Sequence, residues 1–399
     1  MFVSFAEARP RVAVVVGTRP EVIKMAPVVR ELKKHENVLE TILVTTAQHR
    51  EMLGQALNAF DLEPDLDLQL MAHNQGLGEF AARSLRALTD AFDALEPNVV
   101  LLQGDTTTVA SAAMAAAYKG ILVGHVEAGL RSGDKRNPFP EEMNRCMAAT
   151  FADLHFAPTP LARLNLLREG IREDAVFMTG NTIVDAVQSY PRCGPFESEP
   201  LRFIDFEASR VLLVTAHRRE SQGTGLYSIC RAMKRIVSDF PDVQVVFPVH
   251  LNPNVRRVVE EQLRDVPQIH LVEPVCYGDM LRLLERCYFV LSDSGGVQEE
   301  APSFGTPVLI LRETTERPEV VEVGTGKLVG TDPERIYDEA ATLLLDEVAY
   351  ARMSGARNPF GDGKASERIV QVLIDLLVGV ATTTPDIVAV DQVMVNFAS

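Results

Sequence analysis

Apolar positions along the chain switch repeatedly between two periods. The β-branched run Arg11–Val16 ends at Gly17, and Val22, Met25, Val29 and Leu32 then recur at helical spacing. Thr18 with Glu21 fits a capping box, and Pro20 sits in the first turn. Leu39–Val44, Val99–Gln103, Ile121–Val126 and Leu154–Ala157 read as further strands with helices between them. The periodicity fails around Tyr190–Ala208, where Pro191, Gly194, Pro195 and Pro200 mark a linker. It restarts in Val211–Thr215, Val243–Val249, Ile269–Val272, Tyr288–Leu291 and Val308–Leu311. Short apolar strands alternating with helices imply parallel sheets covered on both faces. The expected class is α/β, with two doubly wound domains facing a central cleft. Residues 1–190 form the first, 191–208 the linker, 209–365 the second, 366–379 a C-terminal helix and 380–399 a loose tail.

In such sheets ligands bind beyond the carboxyl ends of the strands. Polar residues that follow strands are therefore the candidates. Gly17-Thr18-Arg19-Pro20-Glu21 with Lys24 offers a helix N-terminus and two cations to an anion; a capped helix with surface charges is the plain alternative. Asp105 follows Val99–Gln103 and Glu127 follows Ile121–Val126, while Glu141 and Glu142 follow Pro138-Phe139-Pro140. Singly, Asp105 reads as a helix cap and the two glutamates as dipole-favoured acids. Together, Asp105, Glu127 and Glu141 meet at one edge, where crowded carboxylates raise one another's pKa and suit general acid–base work. Arg19 and Arg131 nearby would keep others ionised. In the second half, His217 is a candidate phosphate or leaving-group partner, with a core or interface histidine as the alternative. Ser294, Gly295 and Gly296 offer a hydroxyl and N–H groups to a diphosphate, Glu300 could accept two ribose hydroxyls, and Arg317 adds a cleft cation.

Composition narrows the partners. The 399 residues carry 39 basic and 55 acidic side chains, a net charge of -16, which argues against nucleic acid or an anionic membrane. Five cysteines without CxxC spacing point to a reducing compartment. Met1 to Pro10 shows no signal-peptide pattern, so a cytoplasmic location is expected. The Ala-rich stretch 109–126 is broken by Lys119, Gly120 and His125 and reads as a buried helix and strand, not a membrane span. No metal-ligand spacing, no GxGxxG after Val16 and no GxxxxGK[ST] occur, so neither a metal nor a cofactor is expected.

These motifs, in this order, resemble the non-hydrolysing UDP-N-acetylglucosamine 2-epimerase family. The resemblance rests on GTRPEVIKMAPV (17–28), TAQHREML (46–53), QGDTTTVASAAMAAAYKGILVGHVEAGLRS (103–132), PEEMNR (140–145) and TGNTIVDA (179–186). It continues in TAHRRES (215–221), FPVHLNPNVR (247–256) and SDSGGVQEEAPSFGTPVLILRETTERPE (292–319), so that it spans roughly residues 11–378. It implies a two-Rossmann fold similar to GT-B glycosyltransferases, whose C-terminal helix crosses back onto the first domain. It also implies reversible C2 epimerisation through loss of UDP to a glycal and re-addition, giving UDP-N-acetylmannosamine for cell-surface polysaccharide. UDP-N-acetylglucosamine and UDP are the implied ligands, and a homodimer the implied assembly. The positions matching family catalytic groups are Asp105, Glu127, Glu141 and His217. Those matching binding groups are Arg19, Lys24, Ser294, Gly295, Gly296, Glu300 and Arg317. Which carboxylate serves which face is left open.

Two departures stand out. Met280 occupies a position where the family often has an aromatic residue against the uracil. Gln48, His49, Arg218 and His250 match a second, activating UDP-sugar site, but Asn74 stands where members with that site tend to carry Arg. Rival readings are a retaining glycosyltransferase, which would not need three carboxylates on the first edge, a hydrolysing epimerase, and a non-catalytic UDP-sugar sensor.

Overall fold

A computed structural model describes residues 9–46, 50–71, 75–192, 194–218 and 223–379. The described residues form two sheets in which every strand pair is parallel. The first contains β1 (Arg11–Val16), β2 (Glu40–Thr45), β3 (Leu66–Asp67), β4 (Val99–Gln103), β5 (Leu122–Val126), β6 (Leu154–Ala157) and β7 (Val176–Met178). Its order is β3-β2-β1-β4-β5-β6-β7. The second contains β8 (Arg210–Thr215), β9 (Val243–Pro248), β10 (Ile269–Val272), β11 (Phe289–Ser292), β12 (Val308–Ile310) and β13 (Gly326–Leu328), in the order β10-β9-β8-β11-β12-β13. In each sheet the order reverses beside the first strand, at β1/β4 and at β8/β11. Those are the topological switch points at which loops diverge and leave a crevice.

The strongly patterned strands lie where the apolar runs predict them. The pattern does not reveal β3, β7 and β13, which have only two or three residues each and stand at sheet edges. An edge strand is paired on one side and packs few side chains, so it needs no long apolar run. The Pro-rich stretch after Tyr190 carries one short 3-10 helix, Glu199–Phe203, and buries Phe196, Leu201 and Ile204. Its N–H groups at Glu197 and Ser198 donate to the Asp279 carboxylate at 2.9 and 2.8 Å, which ties this stretch to the second half.

One apolar cluster runs through both halves, from Val14, Val29 and Phe60 to Tyr277, Leu281 and Val290. Phe60, Tyr190 and Tyr277 stack edge-on or tilted with ring centroids 5.2–5.7 Å apart, where the chain leaves the first half. The helix Ala365–Val378 packs against the helices Arg19–Lys34 and Thr182–Ser189 of the first half. Asp185 accepts from Ser366 N at 2.7 Å and Ala365 N at 3.2 Å, so an acid sits on the positive end of that helix. Among the described residues no helix is long and apolar enough to cross a membrane.

Candidate active site

Two strand ends of the first sheet and the start of the helix Thr107–Tyr118 approach so closely that one residue must be glycine. A Cβ at Gly17 would fall 2.5 Å from the hydroxyls of both Thr46 and Thr108. The helix that follows is capped as its sequence predicts. Glu21 accepts from Gly17 N at 2.5 Å and from Thr18 N at 2.8 Å, and its other oxygen takes the Thr106 hydroxyl. One buried carboxylate therefore joins the turn carrying Arg19 to the turn carrying Asp105. Burial pushes the Glu21 carboxyl up to about 7, against the hydrogen bonds from Thr106, Gly17 and Thr18.

Asp105 does not cap the next helix. Thr106 is its N-cap, accepting from Val109 N at 3.4 Å. The Asp105 carboxylate is paired with Arg145, and its carbonyl accepts from Asn144 Nδ2 at 2.9 Å. Both partners lie on the helix Glu141–Phe151, three and four residues after Glu141. Of its two first-turn acids, Glu142 is structural. It accepts from Ser132 N and Gly133 N at 3.0 Å each and from Arg145 at 2.8 Å. Glu141 keeps one buried carboxylate oxygen, Oε2, without a hydrogen-bond partner. A buried acceptor with no partner is uncommon and points to a missing donor.

Glu127 sits in the left-handed region at φ 62°, a conformation that non-glycine residues hold at some strain, of order 1 kcal/mol. Its carboxylate is buried against Lys24 and accepts from Gln103 Nε2 at 3.1 Å. Lys24 also contacts Glu299 at 2.8 Å, a residue of the second half. Arg317 in turn places Nε 2.7 Å from Glu299, and Arg312 forks onto Glu316 at 2.9 and 3.1 Å. Burial and the neighbouring Glu299 raise the Glu127 carboxyl, with Lys24 opposing. Burial alone would raise Glu299 as well, but Lys24 and Arg317 hold it below the usual carboxylate range. Burial is likewise outweighed at Glu316, which Arg312 and Arg317 hold at about 2. A Cβ at Gly295 would meet the Arg317 guanidinium at 3.3 Å, so glycine there lets the arginine cross the start of the helix Gly295–Glu300.

Ser294 is the N-cap of that helix, and its hydroxyl makes no cap hydrogen bond. With the first-turn N–H groups of Gly295 and Gly296, which have no intrahelical acceptor, it presents donors to the cleft. Glu300 is buried, and burial followed by the Glu299 charge pushes its carboxyl up to about 7, while Arg19 opposes. The Arg19 charge, from the first half, thus acts on Glu300 in the second. His217 Nδ1 lies 3.1 Å from Asp293, whose other oxygen accepts from the backbone N–H groups of His217 and Arg218 at 2.8 Å each. The His217 ring stacks on His250 with centroids 5.3 Å apart. Nδ1 is directed inward, so Nε2 is the nitrogen left for a ligand.

Some expected members stand aside. Arg131 forks onto Glu169 at 2.7 and 2.6 Å and bonds the Leu130 carbonyl, which commits its donors to the end of the helix Pro160–Arg168 and not to the Lys24 cluster. Met280 is partly buried against the apolar core. Of the second-site residues, His250 stacks on His217 and the Arg218 guanidinium adds to the field that lowers Glu316. Gln48, His49 and Asn74 lie outside the described residues. Sequence reasoning read Glu21 only as a helix cap and missed Arg145, Asp293 and Glu299, each of which holds another candidate in place. Arg145 stands three residues after Glu142, one helical turn, which was the available signal. Glu299 is hidden beside Glu300, and only the direction of each side chain separates them.

Known proteins are similar to this chain over most of its length. A family model described as UDP-N-acetylglucosamine 2-epimerase matches residues 30–374. The UDP-N-acetylglucosamine 2-epimerase of Bacillus subtilis strain 168 is 50% identical over 364 residues, covering 91% of this chain and 95% of that protein. The Escherichia coli K12 enzyme of the same name is 48% identical, covering 91% and 98%. Among solved structures, the Neisseria meningitidis UDP-GlcNAc 2-epimerase bound to UDP-GlcNAc superposes with a TM-score of 0.85 at 43% identity, covering 92% of this chain and 100% of that one. The Methanocaldococcus jannaschii enzyme in complex with UDP-GlcNAc and UDP gives 0.75 at 34% identity, covering 91% and 99%.

Proposed function

We propose a reaction for this protein on one premise: the chain belongs to the UDP-N-acetylglucosamine 2-epimerase family. The reaction is the reversible conversion of UDP-N-acetylglucosamine to UDP-N-acetylmannosamine. The observation that carries it is the meeting of two strand-end edges at Lys24. There a buried carboxylate of one half, Glu127, shares the Lys24 ammonium with Glu299 of the other, on the helix that opens at Gly295.

The reading assigns UDP to the second half. Ser294, Gly295 and Gly296 donate to the diphosphate, and Glu300 accepts the ribose hydroxyls. Arg317, Arg19 and Lys24 add positive charge where the leaving group gathers negative charge. His217, fixed by Asp293, presents Nε2 to the diphosphate. Met280 borders the uracil. Arg131 has no assigned contact with the ligand, because its donors are spent on Glu169.

The first half supplies proton transfer. A carboxylate among Asp105, Glu127 and Glu141 takes the C2 proton. The C2–H electron pair becomes the C1=C2 bond of a glycal as the C1–O bond breaks, and UDP leaves with that bond's electrons. A proton delivered to the opposite face of C2, with return of UDP oxygen to C1, completes epimerisation. The sequence is redox-neutral, so its balance calls for no oxidant. The halves part and close about residues 191–208 to admit substrate and exclude water.

The decisive experiment is incubation with UDP-N-acetylglucosamine alone in heavy water, followed by proton NMR. Formation of the C2 epimer with deuterium at C2 is expected. An epimer that retains the C2 proton overturns the reading. Release of free N-acetylmannosamine and UDP would replace it with a hydrolysing reaction.

A further inference from the structure

Lys24 is the single ammonium between two buried carboxylates from different halves of the molecule. Glu127 is on one side and Glu299, 2.8 Å away, on the other. Glu299 is positioned independently of Lys24, because Arg317 Nε bonds it at 2.7 Å. Nothing that Glu299 does is absorbed by the nucleotide cradle, which uses its neighbour Glu300. We propose that Glu299 is a positioning residue that, from the second half, takes a share of the Lys24 ammonium that Glu127 would otherwise hold alone, so that Glu127 is basic enough to move a proton only when the halves are together. The proposal rests on the reading of Glu127 as a proton-transfer group.

The argument is electrostatic. Lys24 held by Glu127 alone would clamp that carboxylate in its ionised, weakly basic form. Sharing the ammonium with Glu299 divides its charge. Arg317 bonds on the Glu299 side, giving that carboxylate two cations, and reaches Glu127 only through its charge, while Gln103 gives Glu127 a neutral donor. The groups facing Glu127 are Lys24 on the Arg19–Lys34 helix, Gln103 on β4, Glu299 on the Gly295–Glu300 helix and Arg317 before the helix Pro318–Glu322. Of these, Glu299 is the one that opposes ionisation of Glu127 by its charge. When the halves separate, Glu299 and Arg317 leave together and Lys24 is left to Glu127 alone. Base strength and closure are thereby coupled through one side chain.

The test is the pH dependence of kcat for Glu299→Gln, whose acid limb reports the base in the closed enzyme–substrate complex. With the Glu299 charge removed, the limb is expected to move to lower pH by about one unit, with a fall in the plateau kcat. Glu299→Asp keeps the charge but withdraws it by one methylene. Its limb is expected to move the same way by a smaller amount, and it carries the test if the glutamine variant does not fold. A folded variant with its limb unmoved, whatever the loss of rate, overturns the proposal. Glu127→Gln separates the two ideas. If it turns over normally, the reading of Glu127 itself fails. If it is inactive while the Glu299 variants keep the wild-type limb, only the role of Glu299 fails.

Discussion

Lys24 Nζ, on the first helix of the chain, lies 2.8 Å from Glu299 Oε2, on a helix that begins 271 residues further along than Lys24 and belongs to the other sheet's half. The contact joins two cations and three acids into one buried network, Lys24, Arg317, Glu127, Glu299 and Glu316.

Removing the cation at its centre should be severe. Lys24→Met leaves Glu127 and Glu299 facing each other in the interior, and unfolding in urea is expected to show a loss of about 3–5 kcal/mol. Combining it with Glu299→Gln, which takes away one of the stranded charges, should recover part of that loss. If the double variant is as unstable as the sum of the two single ones, the network is not coupled in this way.

The three first-half acids should fail in catalysis and not in binding. Asp105→Asn, Glu127→Gln and Glu141→Gln are each expected to lose most turnover, at least about a hundredfold, while calorimetry shows UDP bound. The size of the UDP heat is the control. A variant that loses both together has lost the fold or the cleft instead of a proton-transfer group.

Glu300 should act on the nucleotide. Glu300→Ala is expected to weaken UDP binding by about 1–3 kcal/mol, through loss of charge-assisted hydrogen bonds to ribose. Burial and Glu299 push its carboxyl up to about 7, so the ionised acceptor gains population as pH rises through that value. Wild-type affinity should therefore strengthen more between pH 6 and 8 than that of Glu300→Gln, which has no charge to gain. Parallel pH profiles for the two proteins would remove the ribose role.

Stability should fall with rising pH because of Glu21. An unfolded glutamate releases its proton near 4.5, and burial holds the native one up to about 7. Between those values the native state binds more protons than the unfolded state. The contribution is fully present below about 4.5 and is lost as pH rises through about 7, up to about 3 kcal/mol. Glu21→Gln keeps the shape and cannot ionise, so its urea stability should decline less from pH 5 to 8. An equal decline in both proteins would place the pH dependence elsewhere.

Much of this was legible along the chain because it is local. The strands β1, β4, β8 and β9 are apolar runs dense enough to declare themselves, and Glu21 caps a helix three residues after Thr18. The motifs at Gly17, Asp105, Glu127, His217 and Ser294 follow strands because doubly wound sheets place their functional loops there. What the sequence by itself determined was therefore the α/β class, the two-sheet plan and the set of polar groups at the strand ends. Only the tertiary structure decided how those groups divide their charges. Asp105 is held by Arg145, His217 by Asp293 and Lys24 by Glu299, and Arg131 turns away to Glu169. Neighbours on a helix such as Glu299 and Glu300 point about 100° apart, and spacing cannot say which one faces a cation and which a ribose. The proton affinity of a buried acid is set by burial and by charges that the fold brings from distant parts of the chain. No local pattern encodes that sum, because it exists only once the two halves meet.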